Sequence, residues 1–417
     1  MRDAADPKSR FRRIAVAGIF FQGGAATVDT STIIAALVHG LSGSALAVGA
    51  AAAIARYGWL FPQLIVAYLA ERRQRRLPFY ITGAFGRVVC LVGVAAELAA
   101  ISDPAIALAA FFVLWTLYAF VSGIVAVPYN DIVARSVPSA RRSRLLSVRF
   151  FGGGLLAIVV AAAAERLLGA LGFPESYLAI LLLGAVLLLV SAMVFVSAGE
   201  PKASREANTP ESFGRFVRDG VEVLRRDRPF RLFLYATWLG GAAAMALPFY
   251  IIQVASGSGY SRYVAILLGA QTAGALLSNP LWGWLGDARG KGALLHTVAA
   301  LSPIAPLLAL AWISIGEAAL VLPWFAVVFV VLGALANGGI IAQLGYLMEI
   351  SPDDRRPAYS GYFNVLAAPA ALLPIVGALI VEAISFPAVF AASAVAAALQ
   401  FLAIRRLRKV EREDALR

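Results

Sequence analysis

Cysteine, histidine and charge are scarce in this sequence. Of its 417 residues, one is cysteine, two are histidine and 14% are charged, whereas 60% are hydrophobic. The single thiol, Cys90, excludes a disulfide within the chain and a thiolate metal cluster. His39 and His296 are solitary, so we expect no metal site from them. Because so few charges do not fit a soluble globular protein, a lipid bilayer is the expected solvent.

The sequence also lacks the patterns that enzymes and nucleic-acid-binding proteins need. It contains no glycine-rich nucleotide loop with its Lys and Ser or Thr, no His/Cys set at metal spacing and no paired catalytic carboxylates. The net charge is +12, but the basic residues lie between apolar runs and not among aromatics on a water-facing surface. We therefore expect no enzymatic activity, no catalytic residue, no cofactor and no nucleic-acid partner.

Long apolar runs occupy most of the chain. A helix needs about 20 apolar residues to cross the hydrocarbon core, whereas barrel strands alternate over about ten residues. The sequence therefore predicts an all-α membrane protein with twelve transmembrane helices. They cover residues 14–38, 44–69, 79–101, 105–129, 145–169, 175–197, 231–253, 262–285, 293–315, 320–348, 358–382 and 387–404. The first run is too long for a cleaved signal peptide, so we expect it to be retained.

A polar segment divides the twelve spans into two sets of six. We predict an N-terminal bundle over 1–197, a cytoplasmic linker over 198–230, a C-terminal bundle over 231–404 and a basic tail over 405–417. The linker has apolar residues on one helical face, which predicts an amphipathic helix along the headgroups, either as a tether or as a lipid sensor. Most of the 36 lysines and arginines fall on the side of both termini, which predicts cytoplasmic termini in the inner membrane.

Related loops recur in the two halves. AYLAERRQRR (67–76) follows the second span and GWLGDARGKG (283–292) follows the eighth, with matching leucine, acidic and basic positions. PSARR (138–142) and PDDRR (352–356) open the fifth and eleventh spans at nearly the same offset. Two matches at one offset of about 215 residues predict a duplicated bundle, an architecture common among transporters.

The second loop resembles the cytoplasmic signature of the major facilitator superfamily. The matching residues are Gly283, Asp287, Arg289, Gly290 and Lys291. The first loop is a degenerate copy, with Ala67, Glu71 and Gln74 in place of Gly, Asp and Gly. The resemblance implies a 6+6 pseudo-twofold fold and transport by alternating access. The branch is unresolved, because Arg56 stands where sugar/cation symporters have acidic residues and the fifth span lacks the Gly-Pro element of drug/proton antiporters.

The signature predicts a cytoplasmic gate. A glycine pair would let helix ends approach, the Asp would cap a neighbouring helix, and the Arg would bridge carboxylates across the halves. The alternative is that these are loop charges that only satisfy topology. We assign to this gate Glu71, Arg73, Asp131, Gly283, Asp287, Arg289, Gly290, Lys291 and Glu349. Arg87 and Arg149 lie inside the cytoplasmic face and either snorkel to the headgroups or join the gate.

Two charged residues lie deep in the first two predicted spans. Asp29 is roughly 22 Å from the cytoplasmic end of the first span and Arg56 about 20 Å from that of the second. A charge at membrane depth costs about 3 kcal/mol on insertion scales and marks a pathway by default. We predict an Asp29–Arg56 ion pair that acts either as a proton-coupling switch or as a structural lock.

Amide side chains lie on several other predicted spans. We assign to a substrate cavity Gln22, Gln253, Gln271, Asn279, Asn337, Gln343 and Asn364. Each amide is either a helix-packing group or a ligand contact, and as a set they predict a modestly polar, mostly uncharged surface. Hinges are also plausible at Pro62, Pro248, Pro369, Pro374, Gly152–Gly154 and Gly338–Gly339, although membrane helices commonly contain such residues.

These patterns together predict a secondary active transporter. We expect a monomer in the lipid bilayer that moves a small-molecule solute by alternating access, with protons as the candidate coupling ion. Two other functions remain open, because a fold does not determine function. They are a non-transporting receptor or assembly factor, and a lipid translocase.

Overall fold

The computed structural model describes residues 7–71, 75–201, 213–255, 260–316, 320–351 and 356–415, and these residues are nearly all helical. The first half contains α1 (Pro7–Ala26), α2 (Ile33–Ser42), α3 (Ala45–Glu71), α4 (Leu77–Ala100), α5 (Pro104–Ser136), α6 (Ser139–Ala170) and α7 (Glu175–Ala198). The rest contains α8 (Phe213–Arg226), α9 (Arg228–Ala243), α10 (Leu247–Ala255), α11 (Tyr260–Ala288), α12 (Lys291–Leu301), α13 (Ile304–Ile315), α14 (Val321–Ile350), α15 (Arg356–Ala367), α16 (Leu373–Ala383) and α17 (Phe386–Ala415). The all-α fold class is confirmed.

Eleven helical segments in the described ranges are long and apolar enough to cross a membrane. They coincide with the second to twelfth predicted spans. Their outward faces carry large apolar side chains, such as Val113, which is 69% exposed, and Leu277, which is 76% exposed. Such surfaces suit lipid, because apolar patches of this extent are rare on soluble proteins.

The first predicted span is not one helix. The expectation of an unbroken helix over 14–38 is wrong, because α1 ends at Ala26 and α2 begins at Ile33. In the turn between them, the Thr27 hydroxyl donates to the Gly24 carbonyl at 2.8 Å, and the Ser31 amide donates to the Asp29 carboxylate at 2.9 Å. Hydrogen bonds between short polar side chains and the local backbone compete with the helix ladder.

Two later spans are also interrupted, and prolines lie at both interruptions. A 3₁₀ turn over Ala244–Ala246 separates α9 from α10, and Pro248 is the second residue of α10. Another 3₁₀ turn over Ala368–Leu372 separates α15 from α16; Pro369 lies inside it. Proline has no backbone N–H and its ring clashes with the preceding turn, so it favours such breaks.

Other candidate hinge positions lie in uninterrupted helix. Pro62 is inside α3, Gly152–Gly154 inside α6 and Gly338–Gly339 inside α14. The ninth span is interrupted at a position that the sequence analysis did not single out, where Pro303 lies between α12 and α13. Proline therefore marks some of the breaks in these spans but does not determine them alone.

The chain divides into two compact units. Unit 1 comprises Met1–Ala47, Ile54–Pro210 and Gly257–Gly269, and unit 2 comprises Val48–Ala53, Glu211–Ser256 and Ala270–Arg417. The main division lies within the predicted linker. Short segments of α3 and α11 belong to the unit that contains the other half of the chain.

The linker contains the predicted helix, α8. Its Val223 is buried in a core of unit 2 that includes Phe230, Phe233 and Tyr346, and Leu224 packs against the same core. Arg218, Arg225 and Arg226 are exposed. The apolar face of α8 therefore contacts unit 2, and α9 starts at Arg228, three residues before the predicted seventh span.

Candidate functional site

Unit 1 contains a cavity of about 220 Å³ among its spanning helices. Helices α1, α3, α4, α5, α6 and α7 all contribute side chains to it. Its most distinctive lining residues are two arginines and a set of aromatic residues, namely Arg87, Arg149, Phe21, Tyr80, Tyr129 and Phe195. No aspartate or glutamate is among the lining residues. The cavity is therefore basic and aromatic.

Arg87 is a buried charge on α4. The residue is 6% exposed, and its Nε has no hydrogen-bond acceptor among the described residues. The guanidinium carbon lies 5.1 Å from the centroid of the Phe21 ring. A cation over an aromatic face gains up to about 2 kcal/mol when desolvated, which offsets part of the cost of burying this charge.

Arg149 reaches the same cavity from α6. Its guanidinium carbon lies 5.1 Å from the Tyr129 ring centroid and 5.5 Å from that of Phe21. Its Nη1 donates to the Tyr129 hydroxyl at 3.0 Å. Gly18 of α1 makes room for the side chain, because a Cβ at Gly18 would lie 2.5 Å from the Arg149 Cγ.

Neither arginine forms an ion pair within the described ranges. Arginine keeps its charge in proteins, so it cannot escape burial by losing a proton. Leaving such a charge unpaired costs several kcal/mol. Snorkelling is wrong for Arg87, which is buried, and Asp131 is not the partner of either arginine. The cavity therefore presents two positive charges that a negative ligand would complement.

Asp131, a predicted gate residue, instead belongs to an ion-pair cluster at the end of unit 1. It pairs with Arg76, whose Nε lies 3.4 Å from the carboxylate, and with Arg135. Arg135 also donates to Glu200 at 2.6 Å. The Glu200 carboxylate accepts from the backbone amides of Arg76 at 2.8 Å and Leu77 at 2.9 Å. Glu200 therefore satisfies orphan donors at the start of α4.

Electrostatics explains why this cluster holds its charges. Burial alone would raise the pKa of Glu200. The hydrogen bonds from the Arg76 and Leu77 amides and from Arg135 outweigh burial, so the pKa of Glu200 lies below its ordinary value. Burial would lower the pKa of Arg135, but Glu200 and Asp131 reverse that effect and raise it. Sequence analysis missed Glu200, although its position directly after the sixth span was a signal.

The signature loop of unit 2 has a different arrangement. The Lys291 ammonium lies 3.0 Å from the Asp287 carboxylate, which is 83% exposed, and the Lys291 amide donates to Glu349 at 3.3 Å. Asp287 therefore contacts a lysine one turn later, where capping of a neighbouring helix was expected. Gly290 has a φ of +83°, which favours glycine.

The signature glycines Gly283 and Gly290 do not pack closely against neighbouring helices. A Cβ at Gly283 would have no atom within 4 Å, whereas one at Gly345 would lie 2.8 Å from the Lys291 Cγ. The glycine that packs closely against the signature lysine is therefore Gly345 of α14, which was not predicted. Arg289 is exposed and follows the last residue of α11. Arg73 lies outside the described residues, as does the side chain of Glu71.

The structure does not bring Asp29 and Arg56 into an ion pair. The Asp29 carboxylate accepts from the Ser31 hydroxyl at 2.6 Å and the Thr32 hydroxyl at 2.9 Å, in addition to the Ser31 amide. Depth along a straight helix was the basis for the expected pair. The turn after α1 invalidates it, because Asp29 bonds to its own turn.

The amides assigned to the substrate cavity have different surroundings within each unit. Asn337 donates to Asn279 at 3.2 Å and to the Ala275 carbonyl at 3.1 Å, which joins α14 to α11. Gln22 packs where a Cβ on Gly153 would lie 2.5 Å from its Cβ. The remaining amides lie on α10, α11, α14 and α15, where Asn364 is exposed. None of the seven lines the cavity of unit 1.

The described residues contain no group of three His, Cys, Asp or Glu side chains that could hold a metal ion.

Comparisons with known proteins identify the family. A sequence profile described as Major Facilitator Superfamily matches residues 14–364 and 261–417. Curated relatives include uncharacterized proteins Rv2209 of Mycobacterium tuberculosis and Mb2232 of Mycobacterium bovis. Each is 24% identical over 250 residues, which is 60% of this chain and 48% of the relative. The chain thus spans about half the length of the curated relatives it matches.

Solved structures extend the likeness to nearly the whole fold. A mutant of nucleoside transporter NupG is 14% identical with a TM-score of 0.75, covering 95% of this chain and 99% of that one. A POT family transporter in complex with a thioalcohol conjugated peptide is 11% identical with a TM-score of 0.72, covering 96% of each chain. At these low identities, the likeness to solved structures shows the fold. Together with the profile match across the spans, they show that the chain belongs to the Major Facilitator Superfamily.

Proposed function

We propose that this protein is a secondary active transporter that carries a small solute across the membrane by alternating access. The observation that carries the proposal is the cavity of unit 1, where two arginines line a space among membrane-spanning helices. Charged groups inside a membrane are costly and mark substrate or ion pathways by default. The family, and solved neighbours named as nucleoside and peptide transporters, support the same function.

The proposal includes a location and an orientation. We infer an integral protein of the inner membrane with both termini in the cytoplasm, because lysine and arginine concentrate in the loops on that side. We further propose proton coupling through Asp29, which lies in the break of the first span. Charged groups at membrane depth mark ion pathways by default, and transporters use interrupted helices for coupling ions.

Solute flux is the direct test of the function. Purified protein in proteoliposomes is screened with a panel of labelled organic anions, nucleosides and peptides. A transporter gives saturable uptake that empty liposomes lack. Ala126 lines the cavity, so Ala126→Trp should reduce uptake at least tenfold. Val113 lies on the same helix, α5, and faces outward with 69% exposure, so Val113→Trp is a matched control and should retain uptake.

The same preparation separates the two other functions. A non-transporting receptor or assembly factor gives no uptake of any solute in the panel. A lipid translocase moves a fluorescent phospholipid between leaflets and leaves the soluble panel outside. Either result would contradict the proposed solute transport.

A further inference from the structure

We propose that the cavity of unit 1 selects an organic anion and binds its acidic group between Arg87 and Arg149. This inference rests on the proposed transport function, because it names the substrate class of the same site. It differs from the uncharged substrate that the amide side chains predicted. The chemistry is that of a small carboxylate or phosphate monoester with a flat apolar body.

The first support is the charge balance of the cavity. Its two arginines have no carboxylate partner within the described ranges, and no acidic residue lines the space. A cationic solute would add a third positive charge. A neutral solute would leave both charges without a counter-ion in a medium of low dielectric. Only an anion supplies the missing charge.

The second support is the availability of donors. The Arg87 Nε and the Arg149 Nε are both buried, and neither has a hydrogen-bond partner in the described part of the chain. The Arg149 Nη1 contacts the Tyr129 hydroxyl, so this guanidinium is held by one edge while other donors remain. Arginine forks match the oxygens of carboxylates and phosphates, which accept paired hydrogen bonds.

The third support is the position of Phe21. Both guanidinium groups lie over this one ring, with carbon-to-centroid distances of 5.1 Å for Arg87 and 5.5 Å for Arg149. The shared ring brings the two arginines to one place although they come from different helices. We infer that one anion contacts both groups in this part of the cavity.

The fourth support is the apolar part of the wall. The Tyr80 ring lies 4.1 Å from the Phe195 ring, centroid to centroid, and the Tyr129 ring lies 5.2 Å from that of Phe195. These three rings form a contiguous aromatic surface beside the arginines. The cavity volume of about 220 Å³ compares with about 30 Å³ per water molecule in the liquid. A small aromatic acid meets both features.

Thermal unfolding of the full-length protein in detergent tests the proposal with matched probes. Benzoate and phenyl phosphate carry the acidic group, benzamide is neutral, and benzylamine is a cation of similar size. We expect benzoate or phenyl phosphate to raise Tm in a saturable manner, and benzamide and benzylamine to leave it unchanged. The stronger of the two anions distinguishes a carboxylate from a phosphate ligand.

Substitutions connect the response to the arginines. Arg87→Gln and Arg149→Gln should each weaken the apparent affinity for the active anion at least thirtyfold, whereas Arg149→Lys should retain part of it. Arg166 lies on α6 with Arg149 but is exposed and does not line the cavity. Arg166→Gln is therefore the control and should bind like the wild type. Unliganded Tm and elution volume establish that each variant is folded.

Two results would overturn the anion site. One is benzamide or benzylamine raising Tm as much as the anions; the other is an anion response that survives both Gln substitutions. The proposed function fails in a different way. If labelled benzoate and phenyl phosphate bind but never cross proteoliposomes, and no other solute does, transport is contradicted and the anion site stands. If a neutral solute is transported equally by wild type and Arg87→Gln, transport stands and the anion site is contradicted.

Discussion

The two halves of this chain share a helix pattern but differ in the charges that their spans contain. The first span breaks around Asp29, and the seventh breaks at Ala244–Ala246, about 215 residues later. At that offset Arg149 of the first half corresponds to Asn364 of the second. The common break supports the predicted duplication. The two halves therefore share the position of a helix break, whereas the charge of Arg149 is present only in the first half.

The loops that the sequence analysis placed on the cytoplasmic side also differ in their charge contacts. In unit 1, Glu200 is a nearly buried carboxylate with 9% side-chain exposure, and it bonds to Arg135 and to the start of α4. In unit 2, the comparable Asp287–Lys291 pair is exposed at the aspartate. The family resemblance lies in the second loop, yet among the described residues the more extensive ion-pair network belongs to the first. Similarity of a motif and strength of its interactions are therefore separate properties.

The largest expected effect is on anion binding, and it comes from comparing a glycine of unit 1 with a glycine of unit 2. A side chain at Gly18 would collide with Arg149, whereas one at Gly283 would meet open space. Gly18→Leu should weaken binding of the active anion by roughly thirtyfold or more, as expected when a buried charge is displaced from its ligand. Gly283→Leu should leave binding within about twofold. Thermal-shift titrations of both variants measure this, and equal losses would show that the units do not differ in this way.

The second effect concerns the coupling of solute uptake to protons through Asp29, which lies in the break of the first span. One pH unit corresponds to about 1.36 kcal/mol per proton, so one-to-one symport should give about tenfold accumulation. Asp29→Asn should abolish the response to an imposed pH gradient and retain exchange at equal pH. Asp103 is the control, because its carboxylate caps α5 at the Ala105 and Ile106 amides, so Asp103→Asn should keep the gradient response. Gradient-driven uptake that is normal in Asp29→Asn would remove Asp29 from coupling.

Much of the fold could be predicted from the sequence, because a membrane span depends on a local property. Continuous apolar runs of about twenty residues have few alternatives to a helix in lipid. The break after α1 was readable in principle from the run of Thr, Asp and Ser at 27–32. It was missed because average hydropathy does not register side chains that bond to their own backbone.

The candidate site was much less predictable. Arg87 and Arg149 lie on different helices, and their meeting at Phe21 depends on how α1, α4 and α6 pack. Periodicity along one helix contains no such information. The amides were visible individually, but the sequence does not show that Asn337 donates to Asn279 and to the Ala275 carbonyl. Residue type alone identified candidate site residues, but the packing of the helices determines which of them line the cavity.

The smallest effect compares the two loop carboxylates through stability. Glu200→Gln keeps an oxygen that accepts amide hydrogen bonds but removes the charge that Arg135 contacts. The expected loss is about 1 kcal/mol, or a Tm lower by roughly 1–2 °C for a chain of this length. Asp287→Asn removes one partner of an exposed pair and should cost no more than about 0.5 kcal/mol. Thermal unfolding at neutral pH compares the two.

Acid should remove the Glu200 effect. Because the pKa of Glu200 is lower in the folded protein than its ordinary value, its charge stabilises the folded state at pH values above the unfolded pKa of about 4.3. That contribution is lost as the pH falls through the lower, folded pKa. The Tm values of wild type and Glu200→Gln should therefore converge below about pH 4.3. A difference for Glu200→Gln that stays constant down to acid unfolding would mean that the charge of Glu200 is not what stabilises the start of α4.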